Sequence, residues 1–148
     1  MVSSVSHQLV SDSFWELRIP SQLKLGHEVV ERFVERVEER GISRSECLAL
    51  QHGIHEAVTN AIIHGNGSDP RRQVRVAYGF RGSEVWIEVE DEGPGFHPQQ
   101  VADPCTPENS LRPGGRGLLM MQHFMESVEY NDRGNRVTMR RVCVIDGN

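Results

Sequence analysis

Cysteine is scarce in this sequence and its spacing carries no message. Cys47, Cys105 and Cys143 are odd in number, far apart and in no metal-like arrangement, which removes a disulfide framework and a thiolate zinc site from consideration. Reduced thiols in a cytoplasmic protein are expected. Long apolar runs are also missing. No stretch approaches the ~20 residues of a membrane span, and the N-terminal MVSSVSHQLVSDSFWEL has no basic region followed by an apolar run. A soluble, unexported chain with no membrane partner is the expectation. Positive charge is in short supply too, with 16 Lys and Arg against 21 Asp and Glu and a formal net charge of -5. This balance argues against nucleic acid as a direct partner, because phosphate binding usually needs a basic face. Arg71, Arg72, Arg75, Arg136, Arg140 and Arg141 are accordingly expected on solvated sides of strands. No internal repeat is present. What remains is 148 residues, 37% hydrophobic and 25% charged, a size and balance that suit one soluble domain able to bury its own core. Residues 1–12, polar and Ser-rich, are expected as a loose lead-in, and residues 13–145 as that single domain.

The stretch HEAVTNAIIHGN, residues 55–66, organises the chain. Leu50, Ile54, Ala57, Val58, Ala61 and Ile62 recur at three- and four-residue steps and form one apolar stripe. Glu56 and Asn60 lie beside it, one turn apart and therefore on one face. An upstream helix is expected from about residue 23 to 40, with Leu25, Val29, Val30, Phe33, Val34 and Val37 inward, Ser21 as its cap and Gly41 as its stop. Ser43 or Ser45 opens the helix of Glu56 and Asn60, and Gly65, Asn66 and Gly67, which tolerate positive φ, end it.

Strands are expected at residues 14–19, with Trp15, Leu17 and Ile19 on one side, and at 73–80 and 84–91, joined as a hairpin by Arg81, Gly82 and Ser83. In the last of these Val85, Ile87, Val89 and Asp91 share a face. A carboxylate at the end of an apolar face is out of keeping unless something binds it. Residues 93–115 carry Pro94, Pro98, Pro104, Pro107 and Pro113 among Gly, Asp, Asn and Ser, a long irregular stretch that suggests a lid over a site. A short helix follows at 116–126, with Met120, Met121 and Met125 as core filler. A final hairpin joins 127–130 to 137–144 around residues 131–135. The sum is an α+β two-layer sandwich, helices on one face of a mixed, mostly antiparallel sheet.

Three separated motifs carry the chemistry. Alone, Glu56 and Asn60 could be a polar helix edge, residues 91–95 (DEGPG) a tight turn, and residues 114–117 (GGRG) a flexible helix entry. Together they supply complementary parts of a nucleotide site. Asp91 offers an acceptor to an exocyclic amine, Gly95 a close approach to a flat base, and Gly115 and Gly117 a phosphate cradle at a helix N-terminus. Asn60 offers an oxygen to a magnesium ion that keeps most of its waters. Glu56 is placed to accept a proton from an attacking hydroxyl or water.

These residues resemble the GHKL (Bergerat-fold) ATPases, and within them the bacterial anti-sigma factor serine-protein kinases. EAVTNA at 56–61 is similar to that family's N box, Asp91-x-Gly93-x-Gly95 to its first glycine box and Gly115-x-Gly117 to its second. The resemblance covers the chain from the first strand to about Arg141. It implies ATP and Mg²⁺ as cofactors, Asn60 as the Mg²⁺ ligand and Glu56 as general base. It further implies Asp91 as adenine reader, and Gly93, Gly95, Gly115, Arg116, Gly117 and Leu118 as nucleotide contacts. Where such proteins often carry Thr after the glycine of the last hairpin, this chain has Asn135 after Gly134, whose amide can still hydrogen-bond. Arg112 and Arg116 could reach the terminal phosphates, or stay in solvent. The implied activity is serine/threonine phosphorylation of a small anti-sigma factor antagonist, with a sigma factor as second partner and a homodimer suggested. A non-catalytic ATP-binding module and a stand-alone histidine-kinase-like ATPase domain remain as alternatives.

Overall fold

Alternation of apolar and polar residues builds five strands, and the 3.6-residue stripe builds two helices. A computed structural model describes residues 12–95 and 121–144. Strand β1 is Asp12–Pro20, helix α1 Leu23–Glu39 and helix α2 Arg44–Asn60, which runs on into a wider π-helical turn, Ala61–Gly65. Strands β2 (Gln73–Arg81), β3 (Glu84–Glu90), β4 (Ser127–Tyr130) and β5 (Arg136–Val142) follow. The sheet order is β1-β2-β3-β5-β4, and all four pairings are antiparallel. The expected lead-in falls outside the described residues up to 11. So do the stretch from 96 to 120, where the lid is expected, and the first part of the expected short helix, of which residues 121–124 are helical.

Register makes the core. In β3 the order is half-buried, buried, half-buried throughout, so Val85, Ile87 and Val89 face inward as their parity requires. Val74, Val76, Tyr78 and Phe80 of β2 and Val137 and Met139 of β5 join them. Against this face lie Val29, Val30, Phe33 and Val37 of α1 and Leu50, Ile54, Ala57 and Val58 of α2. Phe33 is fully buried and meets the Tyr78 ring edge-on at 5.0 Å; burial of such a side chain is worth about 1.5–3 kcal/mol. Trp15 is only partly buried, its ring tilted against that of Tyr78 and covered by the Arg36 guanidinium 4.2 Å from its centroid. Met121 and Met125 are core residues as expected.

Three local expectations are corrected. Ser21 does not cap α1, whose N-cap is Gln22 without a side-chain bond; its hydroxyl instead donates to the Arg72 carbonyl at 2.7 Å. Of Gly65, Asn66 and Gly67, only Gly67 takes positive φ, joined by Ser68. The helix ends by widening, with the Asn66 N–H reaching back five residues to the Ala61 carbonyl at 2.9 Å. Ser43 does cap α2, accepting from the Glu46 N–H.

Arg75 and Arg141 are the third correction, because neither is solvated. Cross-strand register sets Arg75 of β2 opposite Glu90 and beside Glu88 and Glu16, and it bonds all three carboxylates. Arg141 pairs through two nitrogens with Glu46 in the first turn of α2 and also donates to the Phe124 carbonyl. Its hydrogen bond is the main cause holding the Glu46 carboxyl below its ordinary range, and Arg141's charge adds to the effect. Arg141→Met is expected to lower stability by about 1–2 kcal/mol, between the values of exposed and buried pairs, in urea unfolding at neutral pH. A lowered carboxyl pKa means the pair's contribution is full above the ordinary carboxylate range and is lost as pH falls through the folded-state pKa. The gap between parent and variant should therefore close on acidification.

Cys47 and Cys143 are buried, the Cys47 thiol donating to the Ile42 carbonyl, and burial pushes the Cys143 thiol up to about 12. A thiol so raised is protonated at neutral pH and a poor nucleophile. Cys105 lies outside the described residues.

Candidate functional site

The wide turn after Asn60 brings the end of α2 against the end of β3. Asp91 is the residue after β3, and its carboxylate lies on the inner side of the sheet as the parity of Val85, Ile87 and Val89 predicts. Space between the two segments is minimal. A Cβ on Gly65 would sit 2.3 Å from the Asp91 carboxylate, and a Cβ on Gly93 would sit 1.8 Å from the Gly65 carbonyl oxygen. Only glycine at both positions lets the two backbones pass. This is a close-approach requirement and not one of left-handed φ, which belongs to Gly95 at +80°.

Between these segments opens a cavity of about 190 Å³ lined by Ala57, Asn60, Ala61, His64, Gly65, Val89, Asp91, Pro94, Gly95, Met121, Tyr130, Gly134, Asn135 and Val137. One water needs roughly 10–15 Å³ of such space, so the volume suits an organic ligand. Ala57, Ala61, Val89, Met121 and Val137 make an apolar wall, interrupted by a few polar groups, the usual composition of a small-molecule site.

Asp91 is the carboxylate among those groups. Burial pushes its carboxyl above the ordinary carboxylate range, opposed by the Gly93 N–H, which donates to Oδ1 at 2.8 Å, and by the charge of Arg133. Tyr130 is raised as well, by burial and then by the negative charge of Asp91. On the far side Asn135 grips the Asp91 backbone twice. The Asp91 N–H donates to the Asn135 carbonyl and the Asn135 side-chain amide donates to the Asp91 carbonyl, both at 2.9 Å. Asn135 is in turn fixed by Asn131, whose Nδ2 donates to Asn135 Oδ1 at 2.8 Å and whose Oδ1 accepts from the N–H groups of Gly134, Asn135 and Arg136.

The fold thus brings together Asn60, Asp91, Gly95 and Asn135 around one cavity, with Gly93 directly behind Asp91. Glu56 is not part of that wall; it stands one turn earlier on α2, partly exposed, its carboxylate 3.9 Å from His55 Nδ1. Gly115, Arg116, Gly117 and Leu118, together with Arg112, lie outside the described residues. Among the described residues no group of three or more His, Cys, Asp or Glu side chains is placed to hold a metal ion. Among the described residues of the cavity wall, Asn60, Asp91, Tyr130 and Asn135 carry side-chain oxygens, and Asn135 Oδ1 is already taken by Asn131.

Sequence reasoning overlooked several residues. His64 lines the cavity, as do Tyr130 and Val137, which pair across β4 and β5. The alternation of the last hairpin could have pointed to both strand residues. Asn66 was read as a helix stop and is instead a buried connector. No sequence signal distinguishes the two.

Comparison with known proteins agrees with this geometry. A family model described as the histidine kinase-like ATPase domain matches residues 19–141. An anti-sigma F factor of Clostridium perfringens is 33% identical over 101 residues, covering 65% of this chain and 72% of that protein. The anti-sigma F factor of Oceanobacillus iheyensis is 35% identical over 86 residues, 57% of this chain and 59% of its own. A crystal structure of the RsbU and RsbW domains of a Mycobacterium tuberculosis protein superposes with a TM-score of 0.62 at 19% identity. It covers 89% of this chain and 33% of that one, a likeness of fold. The match runs from the last residues of β1 into β5 and so takes in every motif read above. The chain belongs to the histidine kinase-like ATPase domain family, the GHKL ATPases that those motifs resemble.

Proposed function

We propose that this chain is an ATP-dependent serine/threonine protein kinase and anti-sigma factor, which phosphorylates a small antagonist protein and holds a sigma factor inactive. The anti-sigma half is supported by the names of the relatives. The nucleotide half is carried by Asp91, a carboxylate raised in pKa by burial at the edge of an apolar cavity. An acceptor so placed suits the exocyclic amine of adenine, with Gly95 beneath the flat ring. Gly93 serves by letting Asp91 approach the turn, and Asn135 by holding the Asp91 backbone while facing the cavity. Gly115, Arg116, Gly117 and Leu118 are assigned to the phosphates through backbone N–H groups. Residues 13–145 act in this reading as one domain.

Asn60 lines the cavity and can offer one amide oxygen. That donor set fits magnesium, which is satisfied by one or two protein oxygens when phosphate and water complete its shell. Bound there, the ion would neutralise charge on the phosphates. Glu56, one turn away, orients the serine or threonine hydroxyl and takes its proton as the phosphoryl group is transferred.

The test is transfer of label from γ-labelled ATP with Mg²⁺ to the small antagonist protein of the same cell. Acid-stable phosphoserine or phosphothreonine is expected. An acid-labile phosphohistidine would place the chain with histidine kinases instead. An unlabelled antagonist combined with ATP-dependent binding of a sigma factor would reduce it to a non-catalytic regulator.

A further inference from the structure

We infer that Asn66 is a positioning residue that aims the Asp91 carboxylate at the base, an inference that rests on the nucleotide reading above. Asn66 is 2% exposed, and its side chain bonds in three directions. Nδ2 donates to Ser21 Oγ at 2.9 Å and to the Gln73 carbonyl at 3.0 Å, and Oδ1 accepts from the Glu92 N–H at 2.8 Å. Ser21 follows β1, Gln73 opens β2 and Glu92 follows Asp91. One planar amide therefore ties the ends of three strands, while its own backbone N–H closes the π-helical turn on Ala61.

The same residue thus fixes both partners of the narrow passage at the site. It pins the turn that carries Gly65, and it pins the peptide directly after Asp91. With the Gly65 and Gly93 backbones too close for any Cβ, a small displacement of either one shifts the carboxylate that lies between them. Asn135 holds Asp91 from the other side, at its N–H and carbonyl. Without Asn66 the carboxylate keeps its strand anchor and its bond from the Gly93 N–H, but the Glu92–Gly93 segment that supplies that bond loses the point that fixes it. Asn66 is absent from the cavity wall, so its influence on a ligand passes through Asp91.

Only an amide of this length serves. Aspartate keeps the acceptor for the Glu92 N–H but has no donor for Ser21 or Gln73, and glutamine is one methylene too long for a buried position.

The test compares ATP with inosine triphosphate, which replaces the 6-amino group by a carbonyl and so removes the donor that Asp91 accepts. Binding of each with Mg²⁺ is measured on the full chain, together with the melting temperature and kcat. The parent should prefer ATP. Asn66→Asp should reduce that preference by about tenfold, equivalent to about 1.4 kcal/mol, mainly by weakening ATP, while kcat at saturating ATP stays near the parent value. Ser21→Ala, a milder removal of one support, should reduce it by roughly threefold. This variant decides the matter if Asn66→Asp does not fold. A lower melting temperature with an unchanged ATP preference in the folded variants makes Asn66 a stabilising residue only and overturns the inference. Absence of any preference in the parent overturns the adenine reading of Asp91, and the inference falls with it.

Discussion

Glu56→Ala is expected to bind ATP as the parent chain does and to lose phosphotransfer by about 100- to 10,000-fold, the usual contribution of a positioned general acid or base. Binding survives because Glu56 does not line the cavity. Asn60, Asp91 and Gly95, which do, are untouched by the change. Stability should barely move, since the carboxylate is partly exposed and its nearest charged neighbour, His55 Nδ1, is 3.9 Å away, a distance at which an exposed pair contributes little. Single-turnover transfer to the antagonist, measured beside ATP affinity, separates the two effects. Transfer at the parent rate would remove Glu56 from the chemistry.

Asp91→Asn should do the opposite, weakening ATP by about 10- to 150-fold, the range for losing a hydrogen bond to a charged acceptor. The argument is geometric. Oδ1 accepts from the Gly93 N–H, so an amide that keeps this bond must turn its NH₂ to the place of the second oxygen, where it meets the amine of adenine donor to donor. The ligand-free chain should not suffer. Burial raises the Asp91 carboxyl pKa, so the contribution of this group to stability is full below its unfolded pKa and is lost as pH rises through the folded one. At neutral pH the ionised form opposes folding. Asp91→Asn should accordingly melt at or above the parent temperature near neutrality, with the difference shrinking as pH falls into the carboxylate range. Thermal melts across pH, with and without ATP, give both halves. A variant that melted lower yet bound ATP fully would contradict the role assigned to Asp91.

Both predictions rest on residues legible in the sequence, and for a definite reason. Glu56 and Asn60 are four apart in a helix whose apolar stripe fixes its phase, so their shared face follows from the 3.6-residue period. Asp91 follows Val85, Ile87 and Val89 at steps of two, so its inward direction follows from the pleat. The five strands and both helices are equally local in origin, with Ser43 marking a helix start by its side-chain hydroxyl and Gly41 a helix end by its positive φ.

The residues misread are those whose environment depends on segments far away in the chain. Arg75 was expected in solvent. The β2–β3 and β1–β2 registers give it Glu88, Glu90 and Glu16, and no local pattern encodes the pairing of Arg75 with Glu16, 59 residues away. Arg141 meets Glu46 across 95 residues. Asn66 bonds partners 45, 7 and 26 residues away.

The amino-acid order alone therefore settles periodicity, and with it which face of each element is apolar and which polar side chains share that face. It also carries the three motifs by which the family is known. Tertiary packing decides the rest. It widens the end of α2 into a π-helical turn and presses Gly65 against Asp91 and Gly93. It also converts Asn66 and Asn135 from turn residues into the two supports of one carboxylate. The physical reason is that hydrogen-bond partners of a buried amide are chosen by whichever backbone groups arrive beside it, and that is known only once distant strands have paired.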